Sequence, residues 1–170
     1  MSSTLRNVAP RLQIQFWLHT AVTGLRVEDY FQQGKRWWFR FHEKGAKVHE
    51  VPAHHKAEAY VDAWIEAAGI GGAGKSPLFQ TFGRDGAITG RGLYEADVLR
   101  VVKVRGRETG LPKSICCHTF RATGITAYLE NGGTLEKAQA IAAHASPRTT
   151  KLYDRTSDLL TLDEIERIAI

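Results

Sequence analysis

Residues 118–155 read HTFRATGITAYLENGGTLEKAQAIAAHASPRTTKLYDR, and this stretch decides the fold. A helix is predicted over residues 119–130, because the Asn-Gly-Gly that follows is a helix stop. Thr134 can then cap a second helix over residues 135–143. A third helix begins at a Ser-Pro pair, which supplies a cap and then proline at the first helical position, and it runs through Tyr153.

Four side chains in this stretch have the chemistry to bind and attack a phosphodiester: His118, Arg121, His144 and Tyr153. A helical start puts His118 and Arg121 on one face, because they are three residues apart. Arginine offers a planar fork to two phosphate oxygens, and a helix N-terminus adds amide donors. A nearby phenol can act as nucleophile once the phosphate charge is neutralised. Each residue alone has an ordinary structural interpretation, so the inference depends on the set.

The order and spacing of these residues resemble the C-terminal signature of the tyrosine recombinase (phage integrase) family. That signature is a His-x-x-Arg, a Gly-His or similar pair, and a nucleophilic tyrosine; Ala143 stands here where many members have glycine. The resemblance implies an α+β, mainly helical catalytic-domain fold with a small antiparallel β-sheet. It also implies site-specific recombination or integration of DNA, as in phages and mobile elements, through a 3′-phosphotyrosyl intermediate and without a metal or other cofactor.

The resemblance implies a catalytic role for each of the four residues. Tyr153 would attack the scissile phosphate, and Arg121 would bind its non-bridging oxygens. His118 and His144 would hydrogen-bond the phosphate and handle the tyrosine proton. Further basic side chains surround the tyrosine and are expected to contact DNA phosphates, namely Arg148, Lys151 and Arg155.

A β-hairpin is predicted near the front of the chain. The aromatic run over residues 36–42 is typical of a strand, and Lys47–Pro52 can return beside it after a turn at Lys44-Gly45. The segment resembles the family's Gly-Lys-Gly…Val-Pro hairpin, whose turn lysine is the general acid for the leaving 5′-oxygen. This implies that role for Lys44 and a DNA contact for Lys47; the alternative is that both are solvated lysines that merely touch phosphate.

The family's first catalytic arginine has two interpretations here. Arg26 lies in a Gly-Leu-Arg box, with Asp29 at its acidic position, but it stands closer to Lys44 than the family spacing has it. Residues 25–29 also resemble a Leu-Lys-x-x-Asp segment that precedes the sheet, which would put the arginine position near Leu18. Either Arg26 is the first arginine, or the box is lost and the chain is a catalytically impaired DNA-binding remnant.

Other helices are predicted around these motifs. Apolar spacing indicates helices over residues 54–68 and 93–105, an apolar run indicates a buried helix over residues 12–22, and a capping box indicates a last helix over residues 161–170. Residues 78–89 are predicted to be a loop with a short strand. The apolar face of the helix over residues 93–105 is predicted at Leu93, Ala96, Val101 and Val104.

Two further motifs compete for other chemistry. Residues 69–76, GIGGAGKS, match the pattern of a phosphate-binding loop. The preceding segment is predicted to be helical rather than a strand, and Pro77 disfavours a helical residue before it, so we expect a flexible loop. A zinc site at Cys116, Cys117 and His118 is also an alternative, but adjacent ligands suit tetrahedral chelation poorly.

Composition and charge fit a single soluble domain that acts on DNA. The chain has 170 residues, 43% of them hydrophobic, and a net charge of +5, which favours an anionic partner such as double-stranded DNA. It contains no apolar run long enough to span a membrane. The two cysteines are adjacent and cannot easily pair, which indicates the cytoplasm.

Domain organisation and assembly are expected from the same resemblance. We expect residues 1–170 to form a catalytic domain alone or a truncated fragment, without the family's N-terminal core-binding domain. The family assembles on DNA as tetramers, which implies a homo-oligomer in which the C-terminal segment, residues 158–170, docks on a neighbour. Packing of that segment on its own domain is the alternative.

Overall fold

The computed structural model describes residues 22–43 and 47–154, and within them the fold is mixed α+β. A 3₁₀ turn at Val27–Asp29 leads into the first strand. The strands are β1 (Tyr30–Gln33), β2 (Arg36–Glu43), β3 (Lys47–Pro52), β4 (Gln80–Phe82) and β5 (Ile88–Gly92), and the helices are α1 (His55–Ala68), α2 (Glu95–Glu108), α3 (Cys117–Glu130), α4 (Leu135–Ile141) and α5 (Pro147–Lys151).

The predicted hairpin is confirmed and belongs to a three-stranded antiparallel sheet in the order β1-β2-β3. Phe39 on the central strand lies between Tyr30 of β1 and Val51 of β3. Strand β1 was not predicted, because it is only four residues long and its sequence YFQQ lacks a clear alternation. Gly34, with φ of 62°, forms the two-residue turn to β2, and such a turn is the signal that identifies the extra strand.

The larger core lies between the inner face of this sheet and α1. Phe39, Phe41 and Val51 from the sheet are buried together with Val61 and Trp64 of the helix. The indole Nε1 of Trp64 donates to the carbonyl of Leu78 over 2.6 Å, which satisfies the polar atom of a buried side chain. Helix α1 confirms the prediction over residues 54–68, with His54 as its N-cap.

The glycine-rich segment after α1 does not have the context of a phosphate loop. It follows a helix that ends at Gly69, whose φ is 65°, and it leads to β4 through an extended Pro77. The carbonyls of Gly74 and Ser76 accept hydrogen bonds from the amides of the 3₁₀ turn. The segment is therefore hydrogen-bonded to the turn that precedes β1. It lacks the strand–loop–helix context of a phosphate loop, as predicted.

The predicted apolar face of α2 is wrong. Val101 and Val104 are 37% and 42% exposed, and Ala96 is exposed as well. The buried side instead carries Gly106, where a Cβ atom would lie 3.0 Å from Ile115 Cγ2. The same side carries the half-buried Val98 and Val102, so apolar residues lie on both sides of this helix and their spacing did not identify the buried one. Leu93, which precedes the helix, does pack against the larger core.

A second, smaller core joins α3 and α4. It contains Ile125, Leu129, Ala138 and Ala142, and Tyr153 packs against its edge. These helices confirm the predicted order, but three of their ends differ from the expected ones. Helix α3 begins at Cys117 and α4 ends at Ile141, whereas α5 ends at Lys151 and leaves Tyr153 in the turn beyond.

Several predicted features lie outside the described residues. They include most of the helix over residues 12–22, the Lys44-Gly45 turn, Arg155 and the segment from residue 158 onward. Within the residues that the structure describes, none of the helices combines the length and the apolar character that crossing a bilayer requires.

Candidate active site

The N-terminal turns of α3 carry His118 and a buried arginine. Arg121 is 5% exposed, and its guanidinium extends toward the end of α4. There its Nη2 donates to the carbonyl of Ala142, and its Nε donates to Nε2 of His144 over 3.3 Å. Arg121 thus joins α3 to the turn between α4 and α5, because both of these partners lie in that turn.

The contacts of His144 fix its tautomer. Its Nε2 accepts from Arg121, so the ring proton must be on Nδ1, which lies 2.8 Å from Thr150 Oγ1 and donates to it. Burial, the charge of Arg121 and the proximity of His118 lower the pKa of His144 below its ordinary 6.5. The imidazole is therefore neutral at pH 7, and a proton on Nε2 would face an arginine.

Tyr153 lies against both histidines. Its phenol oxygen is 3.0 Å from Nε2 of His118, and its ring stacks on His144 with centroids 5.9 Å apart. The carbonyl of Tyr153 accepts from Thr126 Oγ1 on α3, which holds the turn after α5 against that helix. A partly exposed phenol is thereby held within proton-transfer distance of an imidazole.

The turn between α4 and α5 depends on a strained residue. Ala143 has φ of 50°, the left-handed region that favours glycine, and this reverses the chain just before His144. Gln139 secures the turn, because its side-chain Nε2 donates to the carbonyl of His144 and its own carbonyl accepts from the His144 amide. Ala143, which stands where many family members have glycine, therefore adopts a backbone conformation that favours glycine.

The structure brings together the four residues of the C-terminal signature, and it shows two supporting residues that the sequence did not reveal. Thr150 is fully buried and its Oγ1 accepts the hydrogen bond from His144 Nδ1, and Gln139 closes the turn. Buried threonines and glutamines at helix ends commonly have purely structural roles. No signal in the sequence therefore marks Thr150 and Gln139 as supporting residues of the site. Three of the predicted DNA contacts, Lys47, Arg148 and Lys151, have exposed side chains.

Arg26 lies at the entrance to the sheet. Its guanidinium is 57% exposed and 3.8 Å from Glu28 Oε1, while its amide donates to Asp29 Oδ2. Asp29 is buried, and its other oxygen is 2.8 Å from Nε2 of His42 on β2. Residues 25–29 therefore run directly into β1, with the aspartate bonded across to the central strand. The two carboxylates that Arg26 contacts, Glu28 and Asp29, both lie at this entrance and not in the cluster around Tyr153.

The zinc interpretation of Cys116, Cys117 and His118 has no support in the structure. No group of three or more histidine, cysteine or carboxylate side chains is arranged to hold a metal ion anywhere in residues 22–43 and 47–154. Both cysteines carry free thiols. Cys116 instead caps α3, since its amide donates to Thr119 Oγ1. Its Sγ lies 3.5 Å from the same hydroxyl, and this side-chain hydrogen bond lowers the pKa of the thiol.

Comparison with known proteins gives a consistent result. A sequence model of the phage integrase family matches residues 20–159. The tyrosine recombinase XerD of Listeria innocua is 34% identical over 149 residues, which cover 85% of this chain and 47% of that protein. XerD of Oceanobacillus iheyensis is 31% identical over 114 residues, which cover 65% and 36%. The chain thus spans less than half the length of these relatives.

Solved structures share the fold. The XerA recombinase superposes with a TM-score of 0.70 at 20% identity, over 98% of this chain and 56% of that one. The XerH site-specific recombinase bound to palindromic difH in a post-cleavage complex gives a TM-score of 0.69 at 21% identity, over 90% and 43%. At this identity the likeness concerns the fold alone, which is that of a recombinase catalytic domain.

Proposed function

The chain belongs to the phage integrase family, and on that premise we propose that it cleaves and rejoins double-stranded DNA through a 3′-phosphotyrosyl intermediate. The observation that carries this proposal is the Tyr153 phenol 3.0 Å from His118 Nε2, beside the buried Arg121 and the neutral His144. A nucleophile, a proton acceptor and a fixed positive charge converge there, which is the set that phosphoryl transfer from DNA needs.

The proposed cleavage step uses these groups together with Lys44. The phenol of Tyr153 transfers its proton to His118 and forms a bond to the scissile phosphorus, while the bond from phosphorus to the 5′-oxygen breaks. Arg121 stabilises the negative charge that develops on the non-bridging oxygens. The leaving 5′-oxygen takes a proton from Lys44. Attack by a second 5′-hydroxyl reverses the step and restores the phosphodiester, so no high-energy cofactor is needed.

The exposed lysines and arginines near Tyr153 are proposed to hold the DNA. Arg148 and Lys151 project from α5, just before the nucleophile, and Lys47 stands at the start of β3. Each phosphate that a lysine or arginine neutralises releases a counterion, so binding gains free energy and becomes dependent on salt. Arg155 would extend the same set, and the net charge of +5 is consistent with it.

The setting and the assembly are proposals of the same kind. Two free thiols suit the reducing cytoplasm, where the DNA substrate is also present. The C-terminal segment is proposed to join copies of the chain into a tetramer on DNA, and the reaction is proposed to serve the integration or excision of a mobile element.

A second candidate function is DNA binding without effective cleavage. The observation that favours it is the position of Arg26, which faces Glu28 at the entrance to β1. If residues 25–29 correspond to the family's Leu-Lys-x-x-Asp segment, the first catalytic arginine is absent. Loss of one charged contact in the transition state costs on the order of 3 kcal/mol, a rate reduction of about a hundredfold.

Covalent trapping on DNA tests the proposal. On a nicked suicide duplex, the short fragment with the released 5′-hydroxyl dissociates after cleavage. Rejoining is then prevented, so the intermediate accumulates as a protein–DNA adduct. Because the target is unknown, the duplex carries a family-like half-site or a randomised pool. We expect an adduct from the wild-type chain and none from Tyr153→Phe, which keeps the ring stack on His144 but lacks the nucleophilic oxygen. Measurable DNA binding with no adduct would instead support the second candidate.

Two substitutions then separate the candidates further. If Arg26 is the first arginine, Arg26→Ala lowers the yield of adduct about a hundredfold. If the box is lost, Arg26→Ala changes little and Leu18→Arg raises the yield.

A further inference from the structure

A hydrogen bond joins the β2–β3 hairpin to the end of α4. His49 of β3 lies opposite Phe41 in the sheet, and its Nε2 is 3.3 Å from the carbonyl oxygen of Ile141, the last residue of α4. A carbonyl only accepts, so this nitrogen must carry the proton and donate it. The two residues are 92 positions apart in the sequence, which makes this a contact between separate parts of the fold.

The end of α4 is the place where Arg121 and His144 are held. The carbonyl of Ala142 accepts from Arg121, and His144 follows two residues later. The three carbonyls that precede Ile141 accept from main-chain amides in the turn that follows, whereas the carbonyls of Ile141 and Ala142 accept from the side chains of His49 and Arg121. His49 therefore binds directly beside the arginine anchor.

The two strands of the hairpin pair continuously on both sides of this contact. Strands β2 and β3 pair from Trp38 and Pro52 to Glu43 and Lys47 without a register shift. His49 is two residues from the Glu43–Lys47 pair, so its contact with Ile141 lies near the turn end of the ladder. In the proposed reaction the nucleophile and the general acid act on opposite sides of one phosphorus, and a misplacement of 1 Å can reduce the rate by about a hundredfold.

We propose that His49 is a positioning residue, which holds the hairpin against the end of α4 so that the hairpin's general acid reaches the leaving oxygen of the phosphate that Arg121 binds. This inference rests on the proposed function. It adds to it a side chain whose proposed role is to set the distance between the hairpin and the end of α4, through the contact with Ile141.

The experiment uses a leaving group that needs no acid. In DNA with a bridging 5′-phosphorothiolate, sulfur replaces the 5′-oxygen, so the bond from phosphorus to sulfur breaks and the thiolate leaves without a proton. A variant that fails through the general acid is slow on normal DNA and recovers on this substrate. A variant that fails through folding or DNA binding is slow on both.

The matched pair of variants is His49→Gln, which keeps an N–H donor, and His49→Leu, which keeps the volume without one. On normal DNA we expect His49→Leu to form adduct at least about tenfold more slowly than wild type, and His49→Gln to stay within about threefold. On the phosphorothiolate both should approach wild type. Lys44→Ala should show the same recovery, and Tyr153→Phe should react with neither substrate.

Other results overturn the inference. Equal loss by His49→Leu on both substrates makes His49 a structural residue only, and a wild-type rate on normal DNA makes the contact irrelevant to the reaction. If His49→Leu fails to fold, His49→Ala takes its place in the same comparison. If the wild-type chain forms no adduct on either substrate, the proposed function itself fails, and this outcome is distinct from a defect confined to His49.

Discussion

His144 is the residue whose chemistry the structure defines most narrowly. It accepts from Arg121 with Nε2 and donates to Thr150 with Nδ1. A second proton would have to bind to Nε2, where it would face the Arg121 donor and find no acceptor. Because its pKa is lowered in the folded chain, the unfolded chain binds a proton first as the pH falls below about 6.5. The contribution of His144 to stability is therefore complete above that pH and declines below it.

The lowered pKa of His144 predicts how unfolding depends on pH. The melting temperature of the wild-type chain should fall between pH 7.5 and 5.5, and His144→Gln should show a smaller fall because glutamine does not titrate. Thermal melts of both proteins at the two pH values measure the difference. A fall of the same size in His144→Gln would mean that another group is responsible.

Ala143 gives a second prediction at the residue scale. A residue with a Cβ atom is strained at φ of 50°, by about 1–2 kcal/mol, and glycine is not. Ala143→Gly should therefore raise the free energy of unfolding by about 1 kcal/mol, measured by urea denaturation.

The matched control for this prediction is its neighbour. Ala142 has φ of −80° and is buried in the smaller core, so Ala142→Gly should destabilise the chain through lost packing and added backbone entropy. A loss of stability in Ala143→Gly comparable to that in Ala142→Gly would contradict the assigned backbone conformation.

At the scale of elements, the sequence predicted best where a residue type has a single structural use. The Asn-Gly-Gly stop after α3, the Ser-Pro start of α5 and the aromatic strand of the hairpin lie where expected. Short β1 was missed, and the start of α3 was placed two residues late because Thr119 caps the helix from within its first turn. Local patterns locate elements well, but they do not show which tertiary contact sets an end.

Some residues of the candidate site can likewise be predicted from the sequence, and others cannot. The four residues with reactive side chains follow from their order and spacing in the sequence. The roles of Thr150 and Gln139 depend on contacts with His144 that only the folded chain makes, and the bond between His49 and Ile141 joins residues from distant parts of the chain.

Helix α2 provides the prediction at this scale. Gly106 packs against Ile115, whereas Val104 is exposed. Gly106→Val should lower the free energy of unfolding by about 1–3 kcal/mol, because the side chain has no room. Val104→Ser should change it by less than about 0.5 kcal/mol. Urea denaturation of the two variants checks the corrected face, and the reverse order would restore the face predicted from sequence.

At the scale of the whole molecule, the proposed site draws on two cores. The larger core contains residues of the hairpin strands, and Tyr153 packs against the smaller one, in which the carbonyl of Ala142 accepts from Arg121. The reactive groups of the proposed mechanism thus come from separately packed parts of the chain, and contacts such as that of His49 join them. A positively charged surface around this junction would hold the DNA.

The salt dependence of binding tests that surface. Replacing Arg148 and Lys151 together by alanine should weaken DNA binding and make the slope of log K against log salt shallower by about 1.8, or about 0.9 for each phosphate contact. Lys35→Ala, at the exposed turn between β1 and β2, serves as the control and should leave the slope unchanged. Filter-binding assays across a salt series measure it, and an unchanged slope in the double variant would remove both residues from the DNA surface.

The most direct test of the central claim is to identify the bond in the trapped adduct. The adduct is digested with trypsin and nuclease, and mass spectrometry locates the residue that carries the nucleotide. In parallel, the released DNA end is labelled with polynucleotide kinase. We predict a nucleotide on Tyr153 joined through a 3′-phosphate, and a released end with a free 5′-hydroxyl that accepts the label without phosphatase treatment. A nucleotide on another residue, or a link through the 5′-phosphate, would contradict the account.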